Sequence, residues 1–180
     1  MKWLIASDIH GSAHWCSMLM EAFSRERAQR LILLGDILYH GPRNPLPEGY
    51  DPAEVARMLN AAADRIFCVQ GNCDSQVDQM VLDFPIMAEY AVLACAERLI
   101  YLTHGHIHSF EKPPKLCRSD VLVHGHTHVP ICREMEGFTY INPGSVSLPK
   151  EDSPRGYVIF EDGRFTWKDM EGKSYMSYKL

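Results

Sequence analysis

The feature that most narrows the fold is a series of short apolar runs, each followed at once by a turn that carries a polar ligand. Arg30-Leu-Ile-Leu-Leu-Gly-Asp36 is the clearest of them. Consecutive apolar residues closed by glycine read as a buried strand. Asp36 then stands just past the strand end, where α/β sheets place their ligand-binding residues. Asp8-Ile-His10, Asn72, His104 and His126-Thr-His128 hold the same position after similar runs. Taken singly, each is ordinary turn chemistry, since Gly-Asp and Gly-Asn pairs are common in turns. Metal-type donors at five strand ends in one chain are not what independent turns produce. An acid in the middle of such a ring, Asp36, can be shared by two metal ions.

The runs order into a coarse topology. Trp3 to Ala6 predicts a first strand, residues 13 to 27 a helix with apolar positions at helical spacing, and Arg30 to Leu34 a second, parallel strand. The stretch from Leu38 to Asp51 holds Pro42, Pro45 and Pro47 and reads as a long loop. Asp51 then caps a helix with Pro52 at its first position, running to about Ala63. Arg65 to Val69 is a third strand, followed by a short helical piece from Gln76 to Leu82.

Residues 86 to 93 and 98 to 103 predict two strands around a turn at Ala96-Glu97, and Val121 to Val123 one more. Two hairpins follow, across Glu136-Gly137 and Asp162-Gly163. The polar end from Glu171 to Leu180 is expected to fray. Parallel units first and hairpins later imply an α/β fold of two packed mixed β-sheets flanked by helices.

Composition sets the bounds. At 180 residues and 46% hydrophobic, the chain fits a single domain over 1–180. A net charge of -5 argues against a stable nucleic-acid complex or an acidic membrane surface, but not against an anionic substrate beside bound cations. The six cysteines form no C-x-x-C pair, and the N-terminus is too poor in apolar residues for a signal peptide. A cytoplasmic protein without a membrane segment is the reading that follows. The apolar edges of the late hairpins leave room for a homo-oligomer.

The donor set of imidazole, carboxylate and amide oxygen, without thiolate, suits Mn²⁺, Fe²⁺ or Zn²⁺ better than a structural zinc cage. Residues i and i+2 of extended backbone point the same way, so Asp8 and His10, and likewise His126 and His128, are expected to approach a common site in pairs.

Asp-x-His at 8 to 10, Gly-Asp at 35 and 36, Gly-Asn-x-Asp at 71 to 74, His104 before glycine and Gly-His-x-His at 125 to 128 together resemble the calcineurin-like metallophosphoesterase family. The small size, Gly-Asn-Cys-Asp and Asn142-Pro-Gly-Ser145 are similar to its small bacterial phosphodiesterase branch. The resemblance implies that Asp8, His10 and His128 hold one divalent ion, that Asn72, His104 and His126 hold a second, and that Asp36 bridges them. Manganese is the first expectation, with Fe²⁺, Zn²⁺, Ni²⁺ and Co²⁺ as alternatives. It also implies a hydrolase of small phosphodiesters in which a metal-bridging hydroxide attacks phosphorus.

Many family members carry histidine where this chain has Cys73, and that histidine serves the leaving oxygen. Cys73, Asp74 and His106 are accordingly expected as catalytic residues, and Arg43 and Asn72 as substrate-binding ones. The H-x-H-x-D-H run of metallo-β-lactamase-type hydrolases is absent, since His128 is followed by Val129-Pro130. The retromer subunit of this fold, a binding platform, departs from the ligand set that this chain keeps.

Overall fold

Six strands of this chain run parallel within their sheets, and the turns that leave five of them carry the polar donors. The computed structural model describes residues 1–180. In the first sheet β1 (Lys2–Ala6), β2 (Arg30–Leu33) and β3 (Ile66–Cys68) are parallel. Beyond β1 the sheet continues antiparallel through β9 (Gly156–Glu161), β10 (Arg164–Asp169) and β11 (Ser174–Lys179), giving the order β11-β10-β9-β1-β2-β3.

The second sheet runs β4 (Tyr90–Cys95), β5 (Arg98–Thr103), β6 (Asp120–His124), β8 (Phe138–Asn142) and β7 (Ile131–Glu134). Its three central strands are parallel and its two edge strands antiparallel. Both sheets are mixed, as expected.

Two layers of core hold the assembly together. Between the sheets pack Ile5, Ile32, Val69, Ile100, Val121, Val123, Phe165 and Trp167. On the other face of the first sheet, Leu4, Ala6, Leu31 and Leu33 meet α1 (Ala13–Arg25) and α2 (Pro52–Asn60). Ser12 caps α1 by accepting from the Trp15 N–H, and Asp51 caps α2 by accepting from the Glu54 N–H. Complete burial of side chains such as Leu4 and Leu31, at about 1.5–3 kcal/mol each, outweighs what either cap contributes.

Four expectations need adjusting. Both long helices cover the first sheet only; on the outer face of the second, Phe110 from the 105–119 loop stacks on Tyr140 at 4.9 Å. The C-terminal segment does not fray but forms β11, because Met176, Tyr178 and Leu180 alternate toward the inter-sheet core. The strand predicted from residue 86 begins at Tyr90, since Ile86 first packs in the helix-side core. The helix predicted to Ala63 stops at Asn60, a 3-10 turn over Ala63–Arg65 taking up the slack before β3.

Glu26 locks α1 to the sheet. Its buried carboxylate accepts from Lys168 Nζ at 2.7 Å and Tyr157 OH at 3.0 Å, and Lys2 Nζ lies 3.3 Å away. Burial alone would raise the pKa of Glu26, but Lys168, Tyr157 and Lys2 outweigh it and hold the carboxyl below its usual value of 4.5. A depressed pKa contributes stability that is present above the unfolded value and lost as pH falls through the folded one. Glu26→Gln is therefore expected to cost about 1–2 kcal/mol at neutral pH. Urea titrations at several pH values should show the gap between parent and variant closing below about pH 4.5; a gap independent of pH would refute the ionic role.

Candidate metal centre

Each predicted ligand sits at the carboxyl end of a parallel strand or in the turn that leaves it. Asp8 and His10 follow β1, Asp36 follows β2, Asn72 follows β3, His104 follows β5, and His126 and His128 follow β6. The first sheet and the second thus present donors to one another across their shared edge. Asp8 Oδ1 lies 3.5 Å from His10 Nε2 and 3.2 Å from His128 Nε2. His104 Nε2 lies 2.9 Å from Asn72 Oδ1 and 3.1 Å from His126 Nδ1. Asp36 stands between these groups, its Oδ2 at 3.7 Å from His10 Nε2 and 3.5 Å from His104 Nε2.

The backbone that achieves this is not extended. Asp8, His10, Asp36, His126 and His128 have φ values between 50° and 65°, in the left-handed region. These turns are therefore not the extended backbone in which residues i and i+2 share a face. Asp8 and His10 do meet, by way of a turn, but His126 and His128 diverge, the first toward His104 and the second toward His10 and Asp8. Two glycines let the turns close. A Cβ on Gly71 would collide with Asp36, and one on Gly125 with Ser7 and Asp8.

Hydrogen bonds from behind fix which atoms face inward. The Nδ1–H groups of His10, His104 and His128 donate to the carbonyls of Tyr39, Leu34 and Leu148 at 2.8, 2.7 and 2.6 Å. A carbonyl only accepts, so the proton sits on Nδ1 and each Nε2 presents its lone pair to the cradle. Ser145 and Ser147 hydroxyls donate to the carbonyl of Asp8, and the Asn142 amide donates to the carbonyl of Gly125.

Asp74 does not reach the cradle's lining. Its Oδ2 accepts from the N–H groups of Asp36 and Gly71 at 2.8 and 2.7 Å, and its Oδ1 from Ile37 at 2.8 Å. The expected catalytic Asp74 is thus a positioning residue, both oxygens committed to backbone.

A pocket of about 420 Å³ opens over these residues, lined by Asp36, Arg43, Asn72, Cys73, His126, His128 and Lys150. Arg43 and Asn72 thus line this pocket, while His106 rests against His104 with ring centroids 5.4 Å apart, outside the lining. Lys150 escaped the sequence reading, since nothing in Leu148-Pro-Lys150 signals a ligand; Asn142 and Ser145 were visible only as a motif.

The electrostatics are those of a cation site. Burial works against ionisation of Asp8, yet His10 and His128 hold its pKa well below the usual range. The same contact raises the pKa of His10 against the effect of burial, a sharing of protons across Nε2 that a bound cation would displace. Burial together with His104 lowers that of His126 to about 4, so its ring is neutral and free to coordinate at neutral pH. Burial and the nearby carboxylates of Asp36, Asp74 and Asp8 push the Cys73 thiol up, so it remains protonated.

Asp8 Oδ1 is buried without a hydrogen-bond partner, an orphaned anionic oxygen that a cation would satisfy. Three sets of donors fall within ligating reach of common points: Asp8 with His10 and His128, Asp8 with Asp36 and His104, and His10 with Asp36 and Cys73. The first two fit hard or borderline divalent ions.

Comparison with known proteins agrees with this arrangement. Phosphodiesterase YfcE of Escherichia coli K12 is 48% identical over 162 residues, covering 90% of this chain and 88% of its own length. The solved structure of E. coli YfcE, described as a phosphoesterase, superposes with a TM-score of 0.96 at 42% identity, covering 99% of both chains. The vacuolar protein sorting 29 structure from Cryptosporidium parvum shares the fold, with a TM-score of 0.62 at 18% identity over 99% of this chain and 98% of its own. Residues 1–162 match the model of the calcineurin-like phosphoesterase superfamily domain, and the chain belongs to that family.

Proposed function

We propose that this chain is a metal-dependent phosphodiesterase that uses two divalent ions, manganese foremost, and acts as one domain over residues 1–180. The observation that carries the reading is the convergence of three oriented Nε2 lone pairs on two buried carboxylates, with Asp36 between the two groups. Asp8, His10 and His128 would hold one ion, Asn72, His104 and His126 the other, and Asp36 both. When bound, such a pair supplies an ionised water as nucleophile and neutralises charge on the phosphoryl oxygens. The name of the E. coli relative directs the reading to diesters.

The chain's own groups do the rest. Arg43 and Lys150 bring positive charge to the rim of the pocket and orient an anionic phosphate there. His106 steadies His104 from the side. Cys73, a neutral thiol in the pocket wall, is a weaker donor than an imidazolium. The enzyme therefore favours esters whose alcohols leave without strong protonation. Six free cysteines and a small soluble substrate are in keeping with work in the cytoplasm. No helix is long and apolar enough to cross a membrane.

Three measurements test the assignment. Metal analysis of protein loaded with Mn²⁺ should give about two ions per chain. In Asp36→Ala it should give one or none, with turnover of bis(4-nitrophenyl) phosphate lost; an unchanged count would refute the bridge. Asp74→Asn turns an amide N–H toward backbone donors and should weaken metal affinity about 10–100-fold while costing roughly 1–3 kcal/mol of stability. Unaltered affinity would leave Asp74 a merely structural residue. Cys73→His should raise turnover of alkyl relative to aryl diesters by about tenfold or more, and an unchanged ratio would remove Cys73 from the leaving-group side.

A further inference from the structure

A second concavity, of about 750 Å³, adjoins the cradle. It runs between α2 and α3 (Gln76–Gln79) and falls within the roughly 300–1,000 Å³ typical of small-molecule sites. Cys73 lines both spaces, and Tyr39 joins them in another way. Its carbonyl fixes His10, and its side chain walls the groove. The two cavities are therefore one continuous surface, with the polar pocket over the proposed metal ligands at one end.

The character of the groove is set by which of its groups are free. Arg57 is tied by two nitrogens to Glu54, at 2.7 and 2.5 Å. Asn60 donates to the Val81 carbonyl and accepts from the Asp83 N–H. Ser75 and Asp78 close a reciprocal cap on α3. The polar side chains of the two helices are thus largely paired among themselves, and apart from the exposed, ion-paired Arg57 most of what lines the groove is apolar. Val77 is 69% exposed, Val81 51% and Tyr39 42%, beside Pro52 and Ala56. Large apolar side chains grouped in the open beside a polar cradle mark a contact surface.

We propose that this groove receives an uncharged, apolar ester arm of the substrate, aromatic or aliphatic, while the phosphate of the same molecule occupies the cradle. The assignment rests on the phosphoesterase reading and adds to it a substrate class: phosphodiesters with at least one apolar alcohol. Charged or strongly hydrated arms find most of the polar groups on α2 and α3 already engaged and are disfavoured.

Phosphonates carry one anionic head and one arm, so they locate the arm without ambiguity. Calorimetric titration of the Mn²⁺-loaded protein with methyl-, hexyl- and phenylphosphonate should show affinity rising about tenfold or more from methyl to the larger arms, from the apolar area covered. Comparison of hexyl with phenyl separates an aliphatic from an aromatic preference. In the double variant Val77→Asp with Val81→Glu, both at exposed positions, the ratio should collapse toward one. Val92→Asp, on the outer face of β4, should retain it.

A flat series in the parent, or a ratio unmoved by the double variant, would overturn the groove assignment. So would a change in oligomeric state of the double variant on gel filtration with the ratio intact, which would make the surface a protein contact. Turnover of bis(4-nitrophenyl) phosphate by the parent is measured in parallel. Its absence would remove the phosphoesterase reading and this inference with it, whereas turnover with a flat series removes the inference alone.

Discussion

The structure depends on one carboxylate whose two oxygens are both committed to backbone N–H groups. Asp74 accepts three backbone N–H groups, two from the turn after β2 and one from the turn after β3. It thereby pins Asp36 and brings together the two strand ends that carry Asp36 and Asn72. The need for such pinning can be sized. Five proposed ligand residues occupy left-handed backbone, at roughly 1–3 kcal/mol each, a total of the same order as the net stability of a whole domain. Aspartate and histidine lie at the low end of that range, because they enter this region more readily than most side chains. The residue types that coordinate metals are also the ones whose backbone tolerates these turns.

The remaining strain is held by a shell of hydrogen bonds that comes from far along the chain. Ser145 and Ser147 secure the carbonyl of Asp8, and Asn142 secures that of Gly125. Asn142 is in turn held from the inter-sheet core, where its carbonyl accepts from the Trp167 indole at 2.7 Å. Packing between the sheets and geometry at the cradle are therefore one system. A loss of core packing around Trp167 would be transmitted to the turn that carries His126 and His128.

Much of this was legible in the sequence, and the reasons are uneven. The parallel strands were visible because fully buried strands write themselves as unbroken apolar runs, as in Leu31 to Leu34. Hairpins across Glu136-Gly137 and Asp162-Gly163 were visible because tight turns demand particular residues. The edge strand β11 was hidden because half-exposed strands carry only alternate apolar side chains, here Met176 and Tyr178 among serines and lysine. At the cradle, donor identity could be read, but not its backbone. Dihedral sign leaves no trace when aspartate and histidine suit a turn and a metal equally. Asp74 looked like a further acid of the site because a short sequence motif does not say which side of a turn its carboxylate faces. Lys150 was silent, its place fixed only by the fold.

The imidazoles of His10, His104 and His128 are already clamped through Nδ1, so capture of a cation freezes none of these three rings. That ordering was completed when the chain folded. Discrimination among ions then falls to the fixed spacing and chemistry of the donors, and to how readily each ion sheds its own water, rather than to how far the protein bends to meet it.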